Sequence, residues 1–556
     1  MKTIPYDKSL YTAPVYDTFL DYLNGIGSLY ADRPALSWFT RKKEKVTLTY
    51  RELTQRATAL RRALRASGLA QGIHVAIVSE NSADWITAFL AVTSYGCVAV
   101  CVDTEQSDDS IRDMIRRADA QLLFLTSPYL PICLPLLEEG RVNRIILMGD
   151  TTNTPRVESM NTLCQQGLEL MADREEEPFQ IDKNQTAEMV FTSGTTSQSK
   201  MVMLSQQGVM QNIREQCYLL YVYDRMFTSL PFYHAYGLNC AVLHALLRGI
   251  HLYINGNLKT AMRDLQLSKV DSILTVPLMV DAIRNQLWLA AEKAGKTEEL
   301  RRHMNRTRMF KKLHLPFKSK LIEQLREEVV GALHLIVSGG AHLTAEISEE
   351  FELFGIQVLQ GYGITECSPL ISVNCNYANK YGSVGKPLLS LEVMVADGEV
   401  CVRGPSVMQG YYKDPKQTAL ALNDGWFHTG DLGHLDKDGF LFLTGRKKNL
   451  IVFKNGKKVS PEKLEELISA IPMVKEVVVS GASSGAFNDD VRLTASIYPD
   501  PQQTEGLSSY EILDHLQDAV DQINRDLPTY QQIRMVTIRE KEFEKTATKK
   551  IKRHAN

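Results

Sequence analysis

Nowhere does this 556-residue chain supply the roughly 18 apolar residues in a row that a membrane-spanning helix needs, and no apolar stretch follows the start MKTIPYDKSL. The expectation is a cytoplasmic protein with no transmembrane segment. Net charge is scarce as well: 63 Lys and Arg against 65 Asp and Glu leave −2, too weak a field for a dedicated nucleic-acid binder. The nine cysteines form no CxxC pair and no Cys/His set at metal-ligand spacing along the chain. They read as small core residues in a reducing compartment. There is no internal repeat and no low-complexity segment. What is present is ordinary globular material, 44% hydrophobic and 23% charged, long enough for roughly two to four structural units at about 150 residues each.

From Thr47 onward, helical spacing alternates with short β-branched runs. Leu53, Ala57, Leu60 and Leu64 mark an amphipathic helix, IHVAIV (73–78) a strand, SADWITAFLAVTSY a helix and CVAVCV the next strand. The helix DSIRDMIRRADA and the strand QLLFLTS follow. Such βαβ units imply parallel strands with crossover helices on both faces, an α/β doubly wound sheet. A second set comprises MVFTS, LTVP (274–277) and LHLIVSGG (333–340); ligands usually bind in the loops after such strands. The basic stretch from about Arg284 to Val330 reads foremost as a solvated helical face, while a peripheral contact with a membrane surface or an anionic cofactor stays open. After GRKKN (445–449) the texture changes. LIVF, the hairpin turn Lys454-Asn455-Gly456, a helix opening at Ser460-Pro461-Glu462, the strands KEVVVSG, VRLTASIYP and IRMVTI, and a helix with Leu513, Leu516, Val520 and Ile523 describe a small α+β unit. The expected division is residues 1–445 and 446–556.

The run FTSGTTSQSKMV (191–202) gathers hydroxyls around Gly194 and ends in Lys200. A glycine among Ser and Thr lets the backbone aim successive N–H groups outward, hydroxyls add donors and the lysine adds a point charge, a combination suited to phosphate oxygens. Taken alone it is equally a polar turn between strands. It shares the chain, however, with LPFYHAYG, GYGITE (361–366), GEVCVRGPSVMQGYYKDP, DGWFHTGDLG, GRKKNLIVFKNGKKVSPEKLE and KTATKKIKR. In that order these segments resemble the successive signatures of the adenylate-forming enzymes, and the wording of GIQVLQGYGITECSPLISVN is most similar to the bacterial long-chain fatty acyl-CoA synthetase branch.

The resemblance implies an AMP-forming acid-thiol ligase using ATP, Mg²⁺ and coenzyme A. It places Thr192, Ser193, Gly194, Thr195, Thr196 and Lys200 on the β and γ phosphates, and Gly339, Gly340 and Ala341 as a wall for adenine with Tyr362 and Gly363 beside it. Thr365 and Glu366 fall in the reaction site, Glu366 and Thr196 serve Mg²⁺, and Asp431 and Arg446 hold the ribose. His234 lines the mouth of the acyl pocket without acid–base chemistry. Lys550 supplies the cation between carboxylate and α-phosphate, with Lys549 as alternate. Lys448 marks the hinge, and the loop around Gly456 borders the thiol tunnel. No nucleophilic side chain is required, because the substrate carboxylate attacks phosphorus itself.

The chain departs from the family pattern at Ser197, Ser199, Met201 and Lys549, where glycine, proline, glycine and glycine are customary; losing glycines restricts the backbone. The expected partners are therefore a carboxylic acid, with a fatty acid foremost, and coenzyme A. The alternatives are a carrier-protein thiol as acceptor, or a nucleotide-binding regulator without catalysis.

Overall fold

The computed structural model describes residues 11–149, 154–192, 199–313, 319–453, 457–483, 491–545, 551 and 553. The chain divides into two compact units, Met1–Glu392 with Val402–Phe427, and Val393–Cys401 with His428–Asn556.

In the large unit two sheets share one plan. One has eight strands, whose six parallel members run in the order Thr186–Thr192, Val98–Cys101, His74–Val78, Leu122–Leu125, Arg144–Leu147 and Val157–Ser159. Two antiparallel strands, Lys200–Ser205 and Gly410–Tyr411, extend it beyond Thr186–Thr192. The other has nine strands. Its parallel series is Gln357–Gly363, Leu335–Ser338, Ser272–Thr275, Arg225–Thr228, His251–Ile254 and Pro34–Phe39, with antiparallel strands at both edges. Strands such as Val98–Cys101 and Leu335–Ser338 are buried throughout. Covering both faces of a parallel sheet removes the alternation a half-exposed strand would show, hence the unbroken apolar runs in the sequence.

Several helices start where a side chain caps them. Thr49 and Glu52 form a reciprocal capping box on Tyr50–Ala66, whose Leu53, Ala57, Leu60 and Leu64 are buried as their spacing predicts. The partner helix Met160–Asp173 packs so closely that a Cβ on Gly167 would stand 1.9 Å from the Ala59 carbonyl oxygen. The basic stretch becomes the helices Pro277–Lys293, Thr297–Lys312 and Lys320–Val330. Leu300, Met304, Leu321, Ile322 and Leu325 turn inward, and Arg302, Arg306, Arg308 and Lys312 face solvent. Among the described residues no helix is long and apolar enough to cross a membrane, and all nine cysteines are buried free thiols.

In the small unit a three-stranded sheet has Val491–Pro499 at its centre, antiparallel to Val474–Ser483 and parallel to Ile533–Ile538. The helices Pro461–Ser469 and Ser509–Arg525 contribute Leu464, Ile468, Leu516 and Val520 to its core. Leu513, expected on the inward face of the second helix, is instead 36% exposed. Ile451–Val452 pairs antiparallel with Lys458–Val459 on either side of the expected turn; the turn itself, with Gly456, lies outside the described residues.

One core group bears directly on the site. Glu188, fully buried on the strand Thr186–Thr192, accepts a hydrogen bond from Asn239 at 2.8 Å through Oε1, while Oε2 has no partner among the described residues. Burial pushes its carboxyl up to about 7, the amide donor only partly opposing this. The folded state thus holds this proton more tightly than the unfolded chain. The stabilisation is complete below the ordinary value of 4.5 and is lost as pH rises through about 7. Glu188→Gln should remove a pH dependence on the order of 3 kcal/mol, at about 1.4 kcal/mol for each tenfold difference in proton affinity. Thermal melts at about pH 5 and about pH 8 should therefore differ less in the variant than in the parent chain; an unchanged difference would show that another group is responsible.

Candidate active site

The strands Thr186–Thr192 and Lys200–Ser205 form a hairpin whose register sets Thr192 opposite Lys200. Ser193, Gly194, Thr195, Thr196 and Ser197 lie outside the described residues, and the two positions closing the loop are fixed by sheet pairing. Met201, where a glycine is customary, pairs with Phe191 and is buried in the same core. A regular strand needs no glycine there, and the side chain gains apolar contact instead. On the outer side Arg117 donates to the Ser199 carbonyl at 2.5 Å.

Lys200 is held in two ways. Its ammonium donates to Gln417 Oε1 at 3.0 Å and stands 4.5 Å from the centroid of the Tyr411 ring, a cation–π approach. Tyr411 pairs with Val202 in the sheet, and its hydroxyl donates to Glu366 Oε1 at 2.8 Å. Burial, reinforced by the Glu366 charge, pushes the phenol above its ordinary value, so it stays a neutral donor. The Met408 N–H donates to the Glu366 carbonyl at 2.7 Å. The segment MQGYYKDP thus joins the lysine of the hydroxyl-rich loop to the acid of GYGITE. Reading the sequence gave Tyr411 and Gln417 no role. A tyrosine between two glycine-rich signatures was the available signal.

Glycines cluster where parallel strands end. Ser338 pairs with Gln360, so Gly339, Gly340 and Ala341 emerge beside Gly361, Tyr362 and Gly363 at the same edge of the nine-stranded sheet. Gly340, at φ +82°, occupies the left-handed region that suits glycine. Tyr362 is buried, and Thr365 and Glu366 open a 3₁₀ turn immediately after the strand. Tyr236, also missed in the sequence, approaches this edge: its hydroxyl lies 3.1 Å from the Thr275 carbonyl and 3.2 Å from that of Val337, and a Cβ on Gly339 would meet its ring at 3.1 Å. Tyr236 opens a π-helical segment, Tyr236–Leu243, that is buried from Gly237 onward. His234 sits just before it, half-buried, its ring 4.7 Å from that of Tyr233.

The small unit carries the remaining expected residues. Asp431 and Arg446 face each other across paired strands, Nε 2.7 Å from Oδ1, with Asp431 buried and Arg446 partly exposed. Gly445, at φ +147°, approaches so closely that a Cβ there would fall 2.0 Å from Ser460 Oγ. Ser460 in turn donates to the Thr444 carbonyl at 2.8 Å. Lys448 lies exposed in the 3₁₀ turn Lys447–Asn449. Lys549 and Lys550 fall outside the described residues; on either side of them Lys545 and Ile551 form a β-bridge, and Arg553 pairs with Glu465.

Residues 27–412 match the family described as AMP-binding enzyme, and residues 448–556 its C-terminal domain. The long-chain-fatty-acid–CoA ligase of Salmonella typhimurium is 27% identical over 536 residues, covering 88% of this chain and 87% of that protein. Among solved structures, the anthranilate CoA ligase AuaEII in complex with anthranoyl-AMP superposes with a TM-score of 0.79 at 20% identity, covering 98% of this chain and 97% of that one. The Bacillus subtilis o-succinylbenzoate CoA synthetase with ATP and magnesium gives 0.71 at 21%, covering 96% and 98%. The chain belongs to the AMP-binding enzyme family, the adenylate-forming superfamily, and is an AMP-forming acid-thiol ligase.

Proposed function

We propose that this protein is an ATP-dependent acyl-CoA synthetase that activates a medium- or long-chain fatty acid as its adenylate and passes the acyl group to coenzyme A. The observation that carries this reading is the Lys200–Tyr411–Glu366 arrangement at the base of a hydroxyl-rich hairpin. It sets a cation, a neutral donor and a carboxylate beside the paired strands that bracket a segment whose sequence is chemically suited to phosphates. The relatives named as fatty-acid ligases support the choice of acid, as does the buried, mostly apolar segment Leu238–Leu243 that follows His234 a helical turn later.

In the first step a substrate carboxylate oxygen attacks the α-phosphorus of ATP and the bond to pyrophosphate breaks. Lys200 and the hairpin hold the outer phosphates, Gly339 to Ala341 and Tyr362 border adenine, and Asp431 with Arg446 takes the ribose hydroxyls. Glu366 offers the hard oxygen that Mg²⁺ prefers, and we assign Thr196 as its companion; the ion, when bound, neutralises phosphate charge. Lys550 is assigned the charge that meets the crowded transition state. In the second step the thiol sulfur attacks the acyl carbon, its proton passes to solvent and AMP leaves. We retain 445/446 as the functional division, with Lys448 as the hinge that lets one site serve both steps.

Incubation with a panel of fatty and aromatic acids, ATP and Mg²⁺ should release pyrophosphate with long-chain acids best, and added coenzyme A should yield the thioester. Thioester formation only on a phosphopantetheinyl carrier would instead identify a loading enzyme, and silence across the panel would overturn the choice of fatty acid as substrate.

Tyr411→Phe keeps the ring against Lys200 but removes the donor to Glu366. Losing a hydrogen bond to a charged group predicts a drop of about tenfold in kcat/KM for ATP, with the melting temperature little changed. Lys550→Ala should abolish most pyrophosphate release while leaving nucleotide binding by calorimetry nearly intact; undiminished release would move the role to Lys549.

A further inference from the structure

Outside the residues assigned above, the small unit brings together a carboxylate, a thiol and an imidazole that lie far apart in sequence. Glu399 and Cys401 sit two residues apart on the strand Glu399–Arg403, so they share a face. His428 comes from the neighbouring strand Trp426–Leu435. His428 Nδ1 is 3.5 Å from Cys401 Sγ and 3.4 Å from Glu399 Oε2, and the three donor atoms all lie within 4.8 Å of one another.

Those separations suit more than hydrogen bonding. A tetrahedral ion with bonds of about 2.3 Å to sulfur and about 2.0–2.1 Å to nitrogen and oxygen holds its ligand atoms about 3.3–3.6 Å apart. Nδ1 already stands at that distance from both its neighbours. The second carboxylate oxygen is oriented independently, because Glu399 Oε1 accepts the Gly430 N–H at 2.9 Å, leaving Oε2 on the shared side. A ligating carboxylate fixed by a backbone donor is the outer-shell arrangement that metal sites use.

One group competes. The Lys447 ammonium lies 2.8 Å from the same Oε2. Burial alone would raise the Glu399 carboxyl, yet Lys447, the Gly430 N–H and His428 together hold it below its ordinary value. The Lys447 side chain is 62% exposed while Glu399 is buried, at 7%, so the ammonium can return to water once an arriving ion takes over the pairing of the buried carboxylate. His428, about a third exposed, gives the cluster its opening to solvent, whereas Cys401 is buried.

We propose that Glu399, Cys401 and His428 form a binding site for a borderline-soft divalent cation of the Zn²⁺ class, completed by solvent and entered by displacement of Lys447. Mixed thiolate, imidazole and carboxylate ligation selects Zn²⁺ or Co²⁺ over Mg²⁺, which favours all-oxygen shells. On binding, the Cys401 thiol gives its proton to solvent and the thiolate joins the ion. The site is distinct from the Glu366 position assigned to Mg²⁺. Because Glu399 also anchors Gly430, next to Asp431, occupancy would couple to the ribose-side turn.

The test uses the full-length chain and Co²⁺ as a spectroscopic probe, and needs no enzymatic activity. Titration should give a thiolate-to-cobalt charge-transfer band that saturates at a single equivalent and is bleached by Zn²⁺. Cys401→Ser should abolish the band, and His428→Ala should weaken binding by about tenfold or more. Lys447→Ala should tighten binding, because the competing cation is gone; a purely structural ion-pair cluster predicts no such gain. Absence of the band, its persistence in Cys401→Ser, or weaker binding in Lys447→Ala would each overturn the assignment. Should Cys401→Ser fail to fold, the His428→Ala and Lys447→Ala titrations decide the matter by their opposite signs.

Discussion

Two buried asparagine side chains hold the turn that carries Glu366, and the arrangement of the large unit depends on them. Asn212 donates to the carbonyls of Cys367 and Leu370 at 3.1 and 2.9 Å and accepts the Leu370 N–H at 3.3 Å. Asn239 bridges the Ser368 carbonyl, at 3.3 Å, to Glu188 Oε1. An irregular turn within a core would otherwise leave backbone groups unpaired, at about 1–3 kcal/mol each. The amides satisfy them and tie together the strand Thr186–Thr192, the π-helical segment and the GYGITE turn. Geometry at Glu366 is therefore a property of the core, and changes made well away from the site reach it through these contacts.

The parallel strands were legible in the sequence because being buried on both faces leaves a signature that needs no partner to be recognised: IHVAIV, CVAVCV and LHLIVSGG are apolar for structural reasons alone. The helix at Tyr50 was legible for a complementary reason, since Thr49, Glu52 and the spacing of Leu53, Ala57 and Leu60 are all local. Short antiparallel edges were not. Gly410–Tyr411 spans two residues and exists only because Met203 and Val202 lie opposite; nothing within GYYKDP announces that pairing, so Tyr411 went unassigned. The π-helical turn at Tyr236 escaped likewise, being fixed by contact with Gly339 and the Thr275 and Val337 carbonyls rather than by its own composition.

The same contrast governs the small unit. Motif order pointed to Asp431 and Arg446, and sheet register sets them face to face. By spacing along the chain, the cysteines offered no metal-ligand set at all. A thiol on one strand and an imidazole 27 residues away become neighbours only when two strands pair, and such a constellation has no linear signature.

The aromatic ring of Tyr411 also acts as an insulator. Lysine and glutamate brought to the mouth of one loop would ordinarily collapse onto each other and cancel. Here the cation rests on the face of a neutral ring while the acid accepts a hydrogen bond from that ring's hydroxyl. The phenol is thereby interposed between two opposite charges and touches both without taking up either.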